Sequence, residues 1–150
     1  MRMKLALLVL VLVSTVQAKA PSTLAECTEF TKRWFQALSL GTRDLDTAIT
    51  DLLDTYYDDE ATLIDPNFKT PQKGRKAVEA YYRAVMAKYP NWAFKIAKIY
   101  PTAEGFVLHY EGSVPGVVDA FYGIDILEFN SDGKITKLVE GYDRTPFLKP

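Results

Sequence analysis

The sequence YYDDEATLIDP at residues 56–66 joins a predicted helix to a predicted strand. Before this stretch, Asp44 can cap a helix whose apolar positions recur at helical spacing. The acidic run at residues 58–60 is predicted to turn the chain out of that helix. Period-two alternation over residues 61–65 then predicts a short strand that stops at Pro66. The chain therefore changes from helical to extended structure within this stretch.

Asp65 is the polar residue that ends this predicted strand. It shares a strand face with Ala61 and Leu63, so an amphipathic strand would turn its carboxylate inward. The alternative is a local role, in which an aspartate followed by proline forms a turn that caps the next loop. Both interpretations stay open at this point.

Two further helices and four later strands follow from the same periodicities. The first predicted helix covers residues 23–40, where a capping-box motif opens it and Gly41 ends it. Another runs from Gly74 to Pro90, after a polar loop at residues 66–73. The later strands are predicted at residues 92–96, 106–113, 120–129 and 134–143, with a hairpin turn at residues 130–133. This order indicates an α+β architecture in which a strongly bent antiparallel sheet wraps around three helices.

Composition limits the chain to one domain and removes several functional classes. A chain of 150 residues, 48% hydrophobic and 25% charged, can bury one sizeable core. With 18 basic and 19 acidic side chains there is no net field to attract nucleic acid, which is not an expected partner. The sequence has no Cys–His grouping, glycine-rich phosphate loop or nucleophile elbow, so neither a metal nor a cofactor is expected.

Residues 1–18 are typical of a secretory signal peptide. A short cationic head precedes an apolar run at residues 5–16, and small residues precede Lys19, where the mature domain is predicted to begin. The run is too short to span a bilayer comfortably, so no stable membrane insertion is expected after cleavage. The expected destination is the extracellular space, a periplasm or an organelle lumen. Cys27, the only cysteine, leaves no internal disulfide framework and is predicted to pack in the first helix.

Asp125 and the aromatic residues point to an apolar cavity. Asp125 shares its strand side with Phe121 and Leu127, and desolvation among such neighbours raises a carboxyl pKa. The nine tyrosines, eight phenylalanines and two tryptophans suit a cavity for a flat apolar ligand, although the same rings can fill an ordinary core. His109 alternates with Tyr110 and is predicted to lie outside, which makes Tyr110 the better pocket candidate from its strand.

Three segments in order carry a family resemblance: residues 56–66, then GRKAVEAYY at residues 74–82, then YGIDILEF at residues 122–129 before an Asp–Gly turn. With these segments the chain resembles the SnoaL-like polyketide cyclases and the ketosteroid isomerases of the nuclear transport factor 2-like superfamily. The resemblance extends over about residues 28–143. It implies a cone-shaped fold with a deep apolar pocket.

The resemblance also implies roles for single residues. Asp65 falls where the isomerases place the carboxylate that moves a proton next to a carbonyl, and Asp125 falls on their second, protonated acid. Trp34 stands where those enzymes have a tyrosine, and an indole N–H is a far weaker acid. Glu140 is turned inward as a further acid or base; its alternative is an exposed edge or a dimer interface. The expected substrate-binding residues are Trp34, Tyr56, Tyr110, Phe121 and Tyr142.

The leading functional hypothesis is a cofactor-independent isomerase or cyclase that acts by proton transfer on a hydrophobic carbonyl compound. Epoxide hydrolysis or dehydration on the same fold is a variant of it. The competing hypothesis is a secreted pocket protein that binds a small hydrophobic ligand without turnover, with an aspartate tied to Arg33, Arg75 or Arg144. A homodimer is expected to pair the outer sheet faces. That outer face would be formed by Tyr122, Ile124 and Ile126.

Overall fold

Three helices and a six-stranded sheet make up residues 19–148, the part of the chain that the computed structural model describes. The helices are α1 (Leu24–Ala37), α2 (Leu45–Tyr56) and α3 (Arg75–Lys88). The strands are β1 (Tyr57–Ile64), β2 (Gln72–Lys73), β3 (Ala93–Pro101), β4 (Gly105–Val114), β5 (Val118–Phe129) and β6 (Ile135–Tyr142), followed by a 3₁₀ turn at Thr145–Leu148. The predicted signal peptide at residues 1–18 lies outside the described residues. Within residues 19–148, no helix combines the length and apolarity needed to cross a membrane.

The predicted helix starts are confirmed by their caps. The Thr23 hydroxyl accepts a hydrogen bond from the Glu26 N–H at 3.2 Å, and the Glu26 carboxylate accepts from the Thr23 N–H at 3.0 Å. At the start of α2, the Asp44 side chain accepts from a backbone N–H in the first turn. The end of α1 was predicted three residues too late, because the N–H of Leu40 leaves the helix and donates to the Pro90 carbonyl.

The sheet is mixed rather than wholly antiparallel as predicted. Its strand order is β2-β1-β6-β5-β4-β3, and every neighbouring pair is antiparallel except β1 with β6, which is parallel. The first long strand therefore pairs with the last. Register shifts interrupt the ladders β1–β6, β3–β4, β4–β5 and β5–β6. Such bulges increase the local twist and bend of a sheet, and here they accompany its curvature around the helices.

The acidic run was wrongly predicted to be a turn. Strand β1 begins directly after α2, and the N–H of Tyr57 caps that helix by donating to the Leu53 carbonyl. The acidic side chains are tolerated in the strand because Asp59 and Glu60 are exposed to solvent. The predicted loop at residues 66–73 also ends in a short strand, β2, which pairs with Thr62 and Leu63.

Alternation along β5 separates a core face from an outer face. Phe121, Asp125 and Leu127 are buried as predicted, and Cys27 is fully buried on α1. On the outer side, Tyr122, Ile124 and Ile126 are 65%, 46% and 40% exposed. His109 pairs across the sheet with Ile124 on this side. The predicted dimer face is thus available at the surface, and the dimer itself stays a prediction.

Substitutions at two adjacent residues of β1 test how the sheet faces its core. Leu63→Ala removes a fully buried side chain and should lower the free energy of unfolding by about 2–5 kcal/mol. Ile64→Ala removes the same number of carbons from a partly exposed residue and should cost less than half as much. Urea unfolding measures both. Equal losses for the two variants would contradict the assignment of faces.

Candidate active site

A cavity of about 370 Å³ lies between α3 and the concave side of the sheet. Helix α3 contributes Tyr81 and Tyr82, and the 3₁₀ turn contributes Phe147. The strands contribute further aromatic rings, from Phe94, Tyr110, Phe121 and Tyr142. Half of the residues that line the cavity are therefore aromatic, and its carboxyl groups stand among mostly apolar neighbours.

Two glycines on the sheet give this cavity its floor. Gly123 pairs with Tyr110 across β4 and β5, and Gly112 pairs with Phe121 in the same ladder. A Cβ atom at Gly123 would lie 2.3 Å from the Tyr110 ring, and one at Gly112 would lie 2.3 Å from the Phe121 ring. Each ring thus lies flat on the backbone of the opposite glycine. If these positions carried side chains, both rings would have to rise into the cavity.

Three carboxyl groups form a row across neighbouring strands. In the β5–β6 ladder, Asp125 stands directly opposite Glu140. Strand β1 pairs with β6 up to Ile64 and Val139, so the next residues along the two chains are Asp65 and Glu140. The parallel pairing of β1 with β6 therefore places Asp65 beside the other two carboxyls.

The hydroxyl of Tyr81 connects two members of this row. Its oxygen lies 2.8 Å from Asp65 Oδ2 and 2.7 Å from Glu140 Oε2. A phenol carries one proton and can donate it to one of these carboxyls only. The other contact is a hydrogen bond only if that carboxyl is protonated and donates to the phenol oxygen. The geometry therefore requires one extra proton in the cluster.

Glu140 is the member of this pair in which burial favours the protonated form. Burial, with the nearby charges of Asp125 and Asp65, raises the pKa of Glu140 well above its usual range. Asp65 is instead surrounded by donors. It accepts from the Asn67 N–H at 2.6 Å and from the Tyr142 hydroxyl at 3.3 Å, as well as from Tyr81. The hydrogen bonds then run from Glu140 to Tyr81 and from Tyr81 to Asp65.

Both interpretations of Asp65 from the sequence apply at once. Its Oδ1 accepts from the Asn67 N–H, which is the turn expected of an aspartate before proline. Its Oδ2 points toward Tyr81 and Tyr142, and the residue is buried on the cavity wall. The local turn therefore orients the carboxylate that faces the cavity.

Asp125 is buried beside the cavity but is not on its wall. It is 3% exposed, and its Oδ1 is buried without a hydrogen-bond partner among the described residues. Burial raises the pKa of Asp125 well above its usual range, the nearby Tyr110 hydroxyl opposes this in part, and the charge of Asp65 adds to it. Asp125 thus stays behind the cavity wall, next to the Tyr110 hydroxyl, whereas Glu140 reaches the cavity itself.

The predicted binding residues fall into two groups. Tyr110, Phe121 and Tyr142 line the cavity. Trp34 and Tyr56 do not: Trp34 is fully buried on α1, and the ring of Tyr56 packs against Phe30 at 5.5 Å.

Tyr81 and Tyr82 were missed as site residues, although helical spacing had already placed both on the inner face of the third predicted helix. Asn67 and Phe147 were also missed, since their position depends on tertiary contacts.

In the part of the chain that the structure describes, no arginine forms an ion pair with the row, although Arg144 lines the same cavity. Arg75 pairs instead with Asp54 and Asp59. Across residues 19–148, no group of three His, Cys, Asp or Glu side chains is arranged to hold a metal ion. The pocket-protein hypothesis, in which an arginine would tie down Asp65 or Asp125, gains no support from these contacts.

Comparison with known proteins identifies the family. The model of the SnoaL-like domain family matches residues 31–138, so the chain belongs to this family. Its three helices and curved, unclosed six-stranded sheet form the nuclear transport factor 2-like fold. No curated protein matches the sequence significantly.

Solved structures with the same fold include proteins of unknown function and an enzyme. A SnoaL-like protein of unknown function from Burkholderia thailandensis has a TM-score of 0.65 at 19% identity, covering 82% of this chain and 98% of its own. The epoxide hydrolase/cyclase-like enzyme SalBIII has a role in pyran ring formation in the polyether salinomycin. Its TM-score is 0.60 at 15% sequence identity, and the match covers 81% of this chain and 94% of SalBIII. An NTF2-like protein of unknown function from Exiguobacterium has a TM-score of 0.58 at 25% sequence identity, and the match covers 75% of this chain and 97% of its own.

Gly123→Ala tests the aromatic floor of the cavity. The added methyl group must displace the Tyr110 ring, so the free energy of unfolding should fall by about 1–3 kcal/mol, and the near-ultraviolet circular dichroism should change. Gly141→Ala on the next strand is the matched control, because its Cβ would meet only the Ile124 carbonyl at 3.5 Å. A fully tolerated Gly123→Ala would show that the ring does not lie on the glycine.

Asp125→Asn tests the burial of the row through its pH dependence. A carboxyl with a raised folded-state pKa contributes its full stability below the unfolded value near 4, and this contribution is lost as the pH rises through the folded value. At pH 8 the variant should therefore be more stable than the wild type by about 1–3 kcal/mol, and the difference should vanish or reverse near pH 4. Urea unfolding at both pH values measures it.

Asp119→Asn is the matched control for this measurement, because Asp119 is an exposed aspartate of the same strand. Its stability difference from the wild type should be small and should not change with pH. If Asp125→Asn behaves in the same way, Asp125 is not a buried neutral acid.

Proposed function

We propose that this protein is a cofactor-independent isomerase or cyclase, which moves a proton on a hydrophobic small molecule that carries a carbonyl group. The observation that carries the proposal is the hydrogen-bonded series Glu140–Tyr81–Asp65 on the wall of an apolar cavity. It supplies a neutral acid and a proton acceptor a few ångströms apart, which is the arrangement that general acid–base catalysis requires.

The proposed reaction begins at Asp65. Its carboxylate removes a proton from the carbon next to the substrate carbonyl, and the electron pair moves to the carbonyl oxygen as an enolate forms. Glu140, as the neutral acid, donates a hydrogen bond or its proton to that oxygen. In isomerisation, Asp65 then returns the proton to a different carbon of the enolate, the carbonyl forms again, and Glu140 keeps or recovers its own proton. In cyclisation, the enolate carbon attacks a second carbonyl of the same molecule, whose oxygen takes the proton of Glu140.

Tyr81 gives the site a way to return to its starting state. After the first step the proton is on Asp65, and Glu140 has given up its own or shares it with the oxygen. Because the Tyr81 hydroxyl contacts both carboxyls, it can accept a proton from Asp65 as it passes its own to Glu140. The acid and the base are thereby restored within the site, and their acidic protons exchange with solvent between turnovers.

The cavity supports an apolar substrate of modest size. Its volume of about 370 Å³ is near the lower end of the usual range for small-molecule sites, roughly 300–1,000 Å³. The aromatic wall favours a flat or ring-containing molecule. Epoxide opening would use the same acid and base on another substrate, and SalBIII has the same fold with the name epoxide hydrolase/cyclase-like.

We also propose that the protein is secreted or lumenal and forms a homodimer. The signal-like pattern of residues 1–18 supports the first part. The exposed apolar residues Tyr122, Ile124 and Ile126 support the second.

Hydrogen exchange in deuterium oxide tests the proposed reaction. A panel of cyclic β,γ-unsaturated ketones should incorporate deuterium next to the carbonyl when incubated with the wild type, as followed by NMR or mass spectrometry. Asp65→Asn should lower this rate at least about 1,000-fold, and Glu140→Gln about 10- to 100-fold, because they remove the base and the neutral acid.

Glu128→Gln is the control, since Glu128 lies on the same sheet but pairs with Lys137. It should keep the wild-type rate. Exchange that survives in Asp65→Asn would remove Asp65 from the role of base. Ligand binding without exchange in any ketone of the panel would favour the pocket-protein hypothesis. Opening of an added epoxide to a diol that carries one solvent oxygen would favour the hydrolase.

A further inference from the structure

We infer that Tyr82 donates a hydrogen bond to an oxygen atom of the bound ligand, and that Tyr57 and Trp34 position it for this role. The inference deepens the proposed function, because the oxygen in question would be the carbonyl oxygen of the substrate. It concerns residues that the proton series Glu140–Tyr81–Asp65 does not use.

The starting observation is a buried pair of phenols behind the cavity. Tyr57 and Tyr82 are 5% and 3% exposed, and their hydroxyl groups form a hydrogen bond with each other. Tyr82 lines the cavity, whereas Tyr57 does not. Tyr82 therefore connects a buried polar pair to the space that a ligand would occupy.

A buried indole group stands next to this pair. Nε1 of Trp34 is buried and has no hydrogen-bond acceptor among the described residues. It approaches the Tyr57 hydroxyl closely enough to oppose the rise in pKa that burial causes there, without reaching hydrogen-bond geometry. The indole can only donate, so the oxygen of Tyr57 is the acceptor available to it.

Counting protons gives this series a direction. If Tyr82 donated to Tyr57, the proton of Tyr57 would be buried with no acceptor among the described residues, which costs about 1–3 kcal/mol. If Tyr57 donates to Tyr82, the Tyr57 oxygen is free to receive the indole N–H of Trp34. The favoured direction is therefore Trp34 to Tyr57 to Tyr82, and it leaves the Tyr82 proton without a partner among residues 19–148.

This unused proton lies beside the acid–base series. Tyr81 and Tyr82 are consecutive on α3, and their ring centroids are 5.0 Å apart. The Tyr81 proton goes to Asp65, and the Tyr82 proton is available to a ligand in the cavity. Burial raises the pKa of Tyr82 well above its usual range, so the hydroxyl remains a donor at neutral pH. A ligand with one accepting oxygen on an apolar ring system fits this arrangement.

Paired ligands separate this role from a structural one. The bicyclic ketone 1-tetralone and the hydrocarbon tetralin share a ring system and differ in one oxygen. Trp92 lines the cavity, so binding of both can be followed by tryptophan fluorescence. Tyr82→Phe should weaken 1-tetralone binding about tenfold and tetralin binding less than about twofold. Tyr57→Phe keeps Tyr82 but removes the hydroxyl that orients it. This variant should weaken the binding of 1-tetralone about threefold and leave the binding of tetralin unchanged.

Tyr56→Phe is the matched control, because it removes a neighbouring hydroxyl that is away from the cavity. It should change neither affinity. The inference is overturned if Tyr82→Phe weakens both ligands equally, or weakens neither. If the ketone-selective loss occurs but no exchange is found in deuterium oxide, the proposed function fails and the oxygen site stands. If exchange occurs without the selective loss, the inference alone fails.

Discussion

Burial of a row of carboxyl groups that form no ion pair is the constraint on which the rest of the site depends. Asp65, Glu140 and Asp125 stand on adjacent strands, and no arginine or lysine of the described residues forms an ion pair with them. Ionising all three in an apolar setting would be costly, because the like charges repel one another and solvent does not compensate. The row therefore retains protons, and the phenols around it fix where those protons lie.

The fold produces this constraint through strand order more than through any single motif. The chain returns its last long strand, β6, to lie parallel to its first, β1, and this pairing joins residues that are 75 positions apart in sequence, Ile64 and Val139. Helix α3 packs against the sheet and brings the Tyr81 hydroxyl into contact with the carboxyl groups of Asp65 and Glu140. Gly112 and Gly123 keep the floor low enough that a ligand can reach them. None of these features alone makes an acid–base site, and together they place an acid and a base on the wall of a buried cavity.

The sequence predicted the elements and the inward faces well. Helical and strand periodicity placed Asp65, Asp125 and Tyr110 on the core side, because each is flanked at the correct spacing by apolar residues. It did not predict that β1 is parallel to β6, since strand pairing depends on contacts between distant residues. For the same reason it named Asp125 as the acid that faces the ligand, whereas the structure places Glu140 on the cavity wall. It also assigned Trp34 and Tyr56 to the cavity, which is wrong. Spacing along a helix indicates which face is buried, but it does not indicate whether that face meets the core or the cavity.

The state of Glu140 is the most direct test of this account. A ¹³C NMR titration of the side-chain carboxyl, assigned with Glu140→Gln, reports whether the group carries a proton at a given pH. The account predicts that Glu140 is still protonated at pH 7, because burial and the charges beside it raise its pKa well above the usual range. A carboxyl that loses its proton near the model-peptide value of about 4.3 would contradict the account, since Tyr81 could then donate to only one of its two partners.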